Sequence, residues 1–242
     1  MQREEIILNL LNENRYLSVH KLAKVLNVSE PTARRSIAEM EKKKLVKRTY
    51  GGVMSISGSD YVPVIIREKI ARKSKQIIAA QAAEMIRDGM VIFLDSSSTA
   101  KCVAEYLHEE MKITVVTNSC DLCEVLVRQH IRTFCVGGYV NEAEHAIRGP
   151  FATEFISHFM FDIAFFSCMA LSDSGVLSGA TLGGVTFLRA LLPHAKTRVL
   201  LCIPEKIGQE RPYLICSLQE IDRVLTDGPL PENLQAMVRD GV

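Results

Sequence analysis

The sequence predicts a larger α/β domain built on a mostly parallel sheet, preceded by a small helical module that ends in a β-hairpin. Three observations predict this. From residue 91 onward, six short apolar runs each end in small polar residues or glycine, and helical stretches usually separate them; strands buried on both faces read this way. Before residue 44, three amphipathic stretches are separated by short breaks. Charge is also divided unevenly. Residues 1–53 hold 11 Lys/Arg against 6 Asp/Glu, leaving 18 against 22 for the rest of a chain whose net charge is +1.

At 242 residues the chain suits one small and one medium domain. A hydrophobic fraction of 48% and a charged fraction of 24% describe a globular protein and exclude a disordered one. No run approaches the roughly 20 apolar residues of a membrane span, and Met1-Gln-Arg-Glu-Glu lacks the basic and then apolar order of a signal peptide. A cytoplasmic protein with no membrane contact is expected. The seven cysteines (102, 120, 123, 135, 168, 202 and 216) are odd in number and lie mostly in apolar runs, as reduced core residues do. Cys120-x-x-Cys123 lacks the second half-site that zinc requires, so neither metal nor cofactor is predicted.

Arg3 to Asn14 places Ile6, Ile7, Leu10 and Leu11 on one helical face. Tyr16-Leu-Ser18 breaks it, and Ser18 is suited to cap a second helix, Val19 to Leu26, with Leu22, Ala23 and Leu26 inward. Asn27-Val-Ser29 turns the chain into a third helix, Glu30 to about Lys43, capped by Ser29, where Pro31 is tolerated in the first turn. Ala33, Ile37 and Met40 share its inner side, leaving Pro31, Thr32, Arg34, Arg35 and Ala38 toward solvent. Two arginines near a helix start suit guanine edges or phosphates in a major groove, and Ser29 and Thr32 suit the backbone. Leu45 to Val53 reads as strand, glycine turn and strand, with Lys47, Arg48, Tyr50 and Gly51 placed along a sugar-phosphate backbone. This is a winged helix-turn-helix (domain 1–57, helix-turn-helix about 19–43, wing 45–54) facing double-stranded operator DNA. The alternative is a three-helix module with a solvated face used for protein contacts.

Leu22-Ala23, Val28-Ser29, Thr32-x-Arg34-Arg35, Leu45 to Arg48 and Tyr50-Gly51-Gly52 together resemble the N-terminal signature of the DeoR family of bacterial transcriptional regulators. Ser36 stands where that family usually carries an aspartate.

Residues 58–66 read as a linker and 67–242 as the α/β domain, opened by a long amphipathic helix from Arg67 to Arg87. The six apolar runs are Val91 to Leu94, Ile113 to Val116, Thr133 to Val136, Ile163 to Phe166, Val199 to Ile203 and Val224 to Thr226. Their polar tips gather at the carboxyl edge of the sheet, where ligands of such folds bind. Asp95-Ser96-Ser97-Ser98-Thr99 leads into a helix from Thr99 to His108, whose unpaired amides suit a phosphate. Lys101 or Lys206 adds positive charge there, and Asp95 or Asn118 suits sugar hydroxyls. Thr117, Ser119, Gly137 and Gly138 complete the predicted effector site. Serines and threonines at any single tip also serve simply as helix caps; convergence of several tips is what suggests a pocket.

From Arg67 to Asp227 the chain also resembles the DeoR sensor. The likeness runs through Arg67, Lys75, Asp95, Ser98-Thr99, Thr117 to Ser119, Gly137-Gly138, Gly149, Asp162, Gly175, Lys206, Gly208 and Asp227. Ser97 replaces the glycine that the family carries in the first loop. The resemblance implies a fold like ribose-5-phosphate isomerase, a phosphorylated sugar as effector, and a repressor of carbohydrate genes.

A homodimer or homotetramer is expected, because helix-turn-helix proteins usually read two half-sites. One alternative is that the second domain serves only for dimerisation or binds a different metabolite. Another is a sugar-phosphate isomerase or hydrolase, but no general acid/base constellation accompanies Asp95, Asp162 and Lys206, and the six histidines are scattered. A regulator rather than an enzyme is therefore predicted.

Overall fold

In the computed structural model, residues 3–239 are described except 15, 44, 50, 56–63, 69 and 143. The chain divides into two compact units, 1–62 and 63–242. Most of the expected linker, 58–63, falls outside the described residues, and 64–66 are already helical.

The first unit runs α1 (Arg3–Asn14), β1 (Tyr16–Ser18), α2 (Val19–Leu26), α3 (Glu30–Lys42), β2 (Val46–Thr49) and β3 (Gly52–Ser55). The Ser18 hydroxyl accepts from the Lys21 amide at 3.1 Å and caps α2, satisfying an amide without an intrahelical partner. Asn27 takes the left-handed conformation (φ 52°) and closes the helix, as asparagine can, setting the angle at which α3 begins. Ile7, Leu11, Leu22, Ala33, Ile37 and Met40 meet Leu17, Val46 and Val53 in one core.

Two local expectations are corrected here. Tyr16-Leu-Ser18 is a strand as well as a break, since Leu17 pairs with Val53 and the sheet runs β1-β3-β2. Three residues are too few to show an alternating pattern in sequence. Gly52 permits this pairing, because a Cβ there would lie 2.4 Å from the Leu17 carbonyl oxygen. Ser29 stands at the cap position of α3 but makes no side-chain cap bond; its hydroxyl instead meets the Thr32 hydroxyl at 2.9 Å.

The second unit contains α4 (Val64–Arg67), α5 (Arg72–Glu84), β4 (Val91–Leu94), α6 (Ser98–Val103), β5 (Thr114–Thr117), α7 (Cys120–Arg128), β6 (Arg132–Cys135), β7 (Tyr139–Asn141) and β8 (Ala146–Arg148). It continues with α8 (Pro150–Ile156), β9 (Phe161–Phe166), β10 (Ala170–Leu171), β11 (Val176–Gly179), α9 (Leu182–Leu191), β12 (Ala195–Leu201), β13 (Tyr213–Ser217), β14 (Arg223–Leu225) and α10 (Glu232–Gln235). The six predicted strands form one sheet, ordered β14-β12-β9-β4-β5-β6, and every pairing in it is parallel.

Alternation along each strand divides the core. Ile92 and Leu94 face Ile78, Val103, Leu122 and Leu126 of α5, α6 and α7. Phe93 faces the other way, into a cluster with Val116, Phe161, Ala164 and Phe187 that α8 and α9 cover. A small antiparallel sheet, β10-β11-β13, packs Leu171, Leu177 and Ile215 beside Phe166 and Leu200.

The expected helix from Arg67 to Arg87 is two helices. Ala71 adopts φ 50° between them, and the Lys75 ammonium donates to the Arg67 and Ile70 carbonyl oxygens, the latter at 2.6 Å. Carbonyls released at the end of α4 are thereby satisfied by a side chain rather than by a continuing helix. Ile77, placed in the predicted apolar stripe, is 49% exposed. The helix expected from Thr99 to His108 is α6 followed by a short 3-10 turn, Ala104–Tyr106. Of the cysteines, all free, 102, 168 and 202 are buried, whereas Cys135 is exposed because β6 is an edge strand of the main sheet.

Candidate functional site

On α3, the inner positions Ala33, Ile37 and Met40 are buried, while Pro31, Arg34 and Arg35 are exposed and Thr32 and Ala38 half-buried. Each arginine lies along the helix against a carboxylate one turn away. Arg34 reaches Glu30 at 3.7 Å, and Arg35 reaches Glu39 at 3.3 Å. Such exposed pairs are worth little, so they hold the guanidinium groups loosely over the outer face. Between α3 and the hairpin lies a cleft of about 290 Å³, lined by Arg34, Arg48, Thr49, Gly51 and Gly52 among others. Lys47 and Arg48 are exposed on β2, and Glu41 accepts from the Arg48 amide at 3.0 Å, tying hairpin to helix. Tyr50 lies outside the described residues. Six of the ten predicted DNA-facing residues are thus on α3 or at its cap, Arg48 and Gly51 line the cleft beside it, and Lys47 precedes Arg48 on β2. Replacing Arg48 by alanine is expected to weaken binding to all DNA sequences alike and to lower the slope of log affinity against log salt by about one. Titrations at several salt concentrations measure this slope.

In the second unit, strands after β4 extend the sheet toward β6 in one direction, and β9, β12 and β14 extend it in the other. The crevice at this switch point, between the carboxyl ends of β4 and β9, is where α/β sheets accommodate ligands. Asp95 spans it. One carboxylate oxygen accepts from the Ser97 amide and the other from the Ser167 amide, both at 3.0 Å. Burial pushes the Asp95 carboxyl up, and bonds from Ser97 and Ser167 together with nearby Lys206 oppose the shift. Both oxygens are engaged in holding the two strand ends, so Asp95 shapes the crevice.

Around it, the Lys206 ammonium donates to Ser167 Oγ at 2.8 Å, and Ser167 Oγ donates to the Leu201 carbonyl. Lys75 is 2% exposed, and its ammonium is pushed down to about 8, first by burial and then by the positive charges of Lys206 and Arg67. The charges of Lys206 and Arg67 therefore act on Lys75, whose ammonium holds the Arg67 and Ile70 carbonyl oxygens. Opposite, the buried Arg148 guanidinium donates to Ser96 Oγ at 3.3 Å and pairs with Glu144 at 2.5 Å. Glu144 accepts in turn from Thr181 Oγ1 at 2.8 Å.

The remaining predicted residues divide into two groups. Ser97 caps α6 through the Ala100 amide, Ser119 caps α7 through the Leu122 amide, and Thr117 Oγ1 accepts from the Ser119 amide. These hydroxyls serve the backbone. Ser96, Ser98, Thr99 and Asn118 are buried at the same edge, and Thr99 Oγ1, Asn118 Oδ1 and Arg148 Nε have no hydrogen-bond partner among the described residues. Lys101 is engaged elsewhere, its ammonium lying between Glu68 (2.6 Å) and Asp121. Burial raises the Asp121 carboxyl, yet Lys101 and His145 hold it below its ordinary value. Gly137 and Gly138 are exposed, and Gly138, at φ +146°, passes so close to Arg148 that a Cβ would meet its carbonyl oxygen at 2.3 Å.

Sequence reasoning missed Glu144, Arg148, Thr181 and Ser167. Glu144 precedes β8, Arg148 ends it and Thr181 precedes α9, and outside a helix a spacing of four does not by itself signal contact. Among the described residues, no group of three or more His, Cys, Asp or Glu is placed to hold a metal ion, and no helix is long and apolar enough to cross a membrane.

Comparison with known proteins follows the same division. Residues 3–59 match the DeoR-like helix-turn-helix domain, and residues 70–228 match the DeoR C terminal sensor domain. An uncharacterized HTH-type transcriptional regulator of Escherichia coli, YgbI, is 31% identical over 96% of this chain and 92% of its own. The lactose phosphotransferase system repressor of Staphylococcus epidermidis is 29% identical over 93% and 91%. The glycerol-3-phosphate regulon repressor of Escherichia coli is 27% identical over 99% and 95%. Among solved structures, the ribose 5-phosphate isomerase of Methanocaldococcus jannaschii superposes with a TM-score of 0.43 at 20% identity, over 56% of this chain and 54% of that one. With a helix-turn-helix unit and a sensor unit both matched in their expected order, and a relative above 30% identity aligned along nearly the whole chain, this protein belongs to the DeoR family of DNA-binding transcriptional regulators.

Proposed function

We propose that the chain represses genes of carbohydrate metabolism and that a phosphorylated sugar, bound at the crevice between β4 and β9, changes its affinity for operator DNA. The observation that carries this reading is the Lys206 ammonium at Ser167 Oγ, 2.8 Å away, with Lys75 and Arg67 near enough for their charges to act on one another, beside buried polar atoms without a hydrogen-bond partner among the described residues, Thr99 Oγ1 and Asn118 Oδ1. Mutually repelling cations beside a polar crevice suit a dianion, and partnerless oxygens suit hydroxyl donors. Ser96, Ser98 and Asn118 face the sugar in this reading, Lys206 and Lys75 the phosphate. The names of two relatives, a lactose phosphotransferase system repressor and a glycerol-3-phosphate regulon repressor, agree with it. The regulator acts in the cytoplasm as a homodimer or homotetramer that reads paired half-sites.

A thermal-shift screen against sugars paired with their phosphates tests the proposal, since a ligand at 100 times its dissociation constant adds about 2.7 kcal/mol of stability. One phosphorylated sugar is expected to shift the melt while its parent does not. Equal shifts for both would overturn the phosphate reading.

Lys75 adds a dependence on pH. Its proton is lost at about 8 in the folded chain against an ordinary 10.5, so the unfolded chain binds more protons between those values and stability from this group rises with pH there. Ligand affinity moves the opposite way. A phosphate favours the charged ammonium, so affinity is expected to fall as pH rises through 8, and binding near pH 8 takes up protons. Calorimetry in buffers of different ionisation enthalpy measures the uptake.

A further inference from the structure

We propose that a second copy of this chain docks on the surface formed by β7, the start of α8, α9 and β13. Five large apolar side chains stand out from it: Tyr139 (59% exposed), Phe151 (73%), Leu182 (62%), Tyr213 (39%) and Leu214 (59%). They are contiguous. The Tyr139 ring lies 3.1 Å from the Cβ position of Gly149, two residues before Phe151, and its hydroxyl 3.6 Å from that of Gly183, next to Leu182. Leu182 in turn lines a groove of about 440 Å³ with Tyr213 and Leu214.

Exposed apolar area on these side chains is on the order of 500 Å², within the range of the largest patch on a monomer. It is more than half of the roughly 800 Å² that each partner contributes to a stable interface, the remainder being left to a polar rim. Shape and charge make the surface self-complementary. Phe151 is a knob in the first turn of α8, and the groove between α9 and β13 is wide enough to take a phenyl ring. Glu154 follows Phe151 by three residues and so shares its helix face, and it is exposed. Arg189 follows Leu182 by two turns and lines the groove. When Phe151 of each copy enters the groove of the other, each Glu154 comes beside an Arg189. A two-fold interface requires such reciprocity, with one residue pair used twice. The surface also adjoins the candidate effector site, since Thr181, the cap of α9, bonds the Glu144 that pairs with Arg148.

The test is the mass in solution of the full chain without DNA or ligand, so its outcome is independent of the effector reading. Light scattering coupled to size exclusion, over about 1–100 µM, is expected to show a dimer or larger assembly for the native chain. Phe151→Glu and Leu182→Glu are expected to halve the mass with the circular dichroism spectrum unchanged. Val127→Glu, at a 61% exposed position on α7 across the sheet, is expected to leave the mass unchanged. As a check that does not depend on burying a charge, Glu154→Arg or Arg189→Glu alone is expected to weaken association at least tenfold, and the two together to restore it. A native chain that is monomeric throughout, or Phe151→Glu and Leu182→Glu variants of undiminished mass, would overturn the proposal; so would a charge-swapped pair no better than its singles.

Discussion

Replacing Arg34 and Arg35 together by alanine is expected to lower specific operator affinity on the order of a hundredfold or more, since each good bidentate contact to a base is worth about 1–3 kcal/mol. The fold should not change. Both side chains are exposed, at 51% and 84%, and the carboxylates they meet, Glu30 and Glu39, are themselves exposed, so the pairs add little to stability. Part of the loss will be sequence-independent, because the two carboxylates remain on the DNA-facing side without their cations. A binding titration against operator and unrelated duplex separates the parts. Specificity, the ratio of the two affinities, is expected to collapse. An unchanged ratio would mean that the recognition surface lies elsewhere than on the outer face of α3.

Replacing Glu144 by glutamine is expected to cost about 3–5 kcal/mol, because removing one partner of a buried ion pair leaves the other charge uncompensated. The Glu144 and Arg148 side chains are 4% and 9% exposed, and among the described residues Arg148 already has one nitrogen, Nε, without a hydrogen-bond partner. For a domain of this size the loss corresponds to a melting temperature lower by roughly 10 °C or more, which calorimetry reads directly. Exchanging both charges at once, as Glu144→Gln with Arg148→Met, should recover much of it, as it removes the orphaned charge along with its partner. Equal destabilisation by the single and double exchanges would show that packing, rather than charge, governs this corner of the fold.

The parts of this molecule legible in sequence are those governed by local periodicity. The α3 pattern of Ala33, Ile37 and Met40 appears because one side of a helix must be buried, and the six strands of the main sheet appear because strands buried on both faces are short continuous apolar runs. The break between α4 and α5 was hidden, since the amphipathic pattern continues through it. It depends on Lys75 reaching back to two carbonyl groups, a tertiary bond made by a residue type that usually marks an exposed helical face. The β7–β8 hairpin and the β10-β11-β13 sheet were hidden for another reason, as strands of two to five residues carry too little pattern.

The candidate effector site divides in the same way. Asp95 to Thr99 and Thr117 to Ser119 were legible as polar tips after apolar runs. Their separate roles were not, because hydrogen bonds made across the sheet decide which oxygen serves a backbone amide and which lacks a partner. Lys101 shows the limit plainly: its place next to the serine loop suggests a phosphate contact, while Glu68 and Asp121, distant in sequence, occupy its ammonium.

The central claim is that occupancy of the crevice between β4 and β9 changes the grip of α3 on DNA. It is tested most directly by fluorescence anisotropy of a selected operator duplex bound to the full chain, titrated with a sugar phosphate from the thermal screen and with its parent sugar, for the native protein and for Lys206→Ala. A change in operator affinity of tenfold or more is expected with the phosphate alone, shifted to at least tenfold higher ligand concentration in Lys206→Ala. Operator affinity indifferent to a sugar phosphate that demonstrably binds, or a response identical in the Lys206→Ala variant, would contradict it.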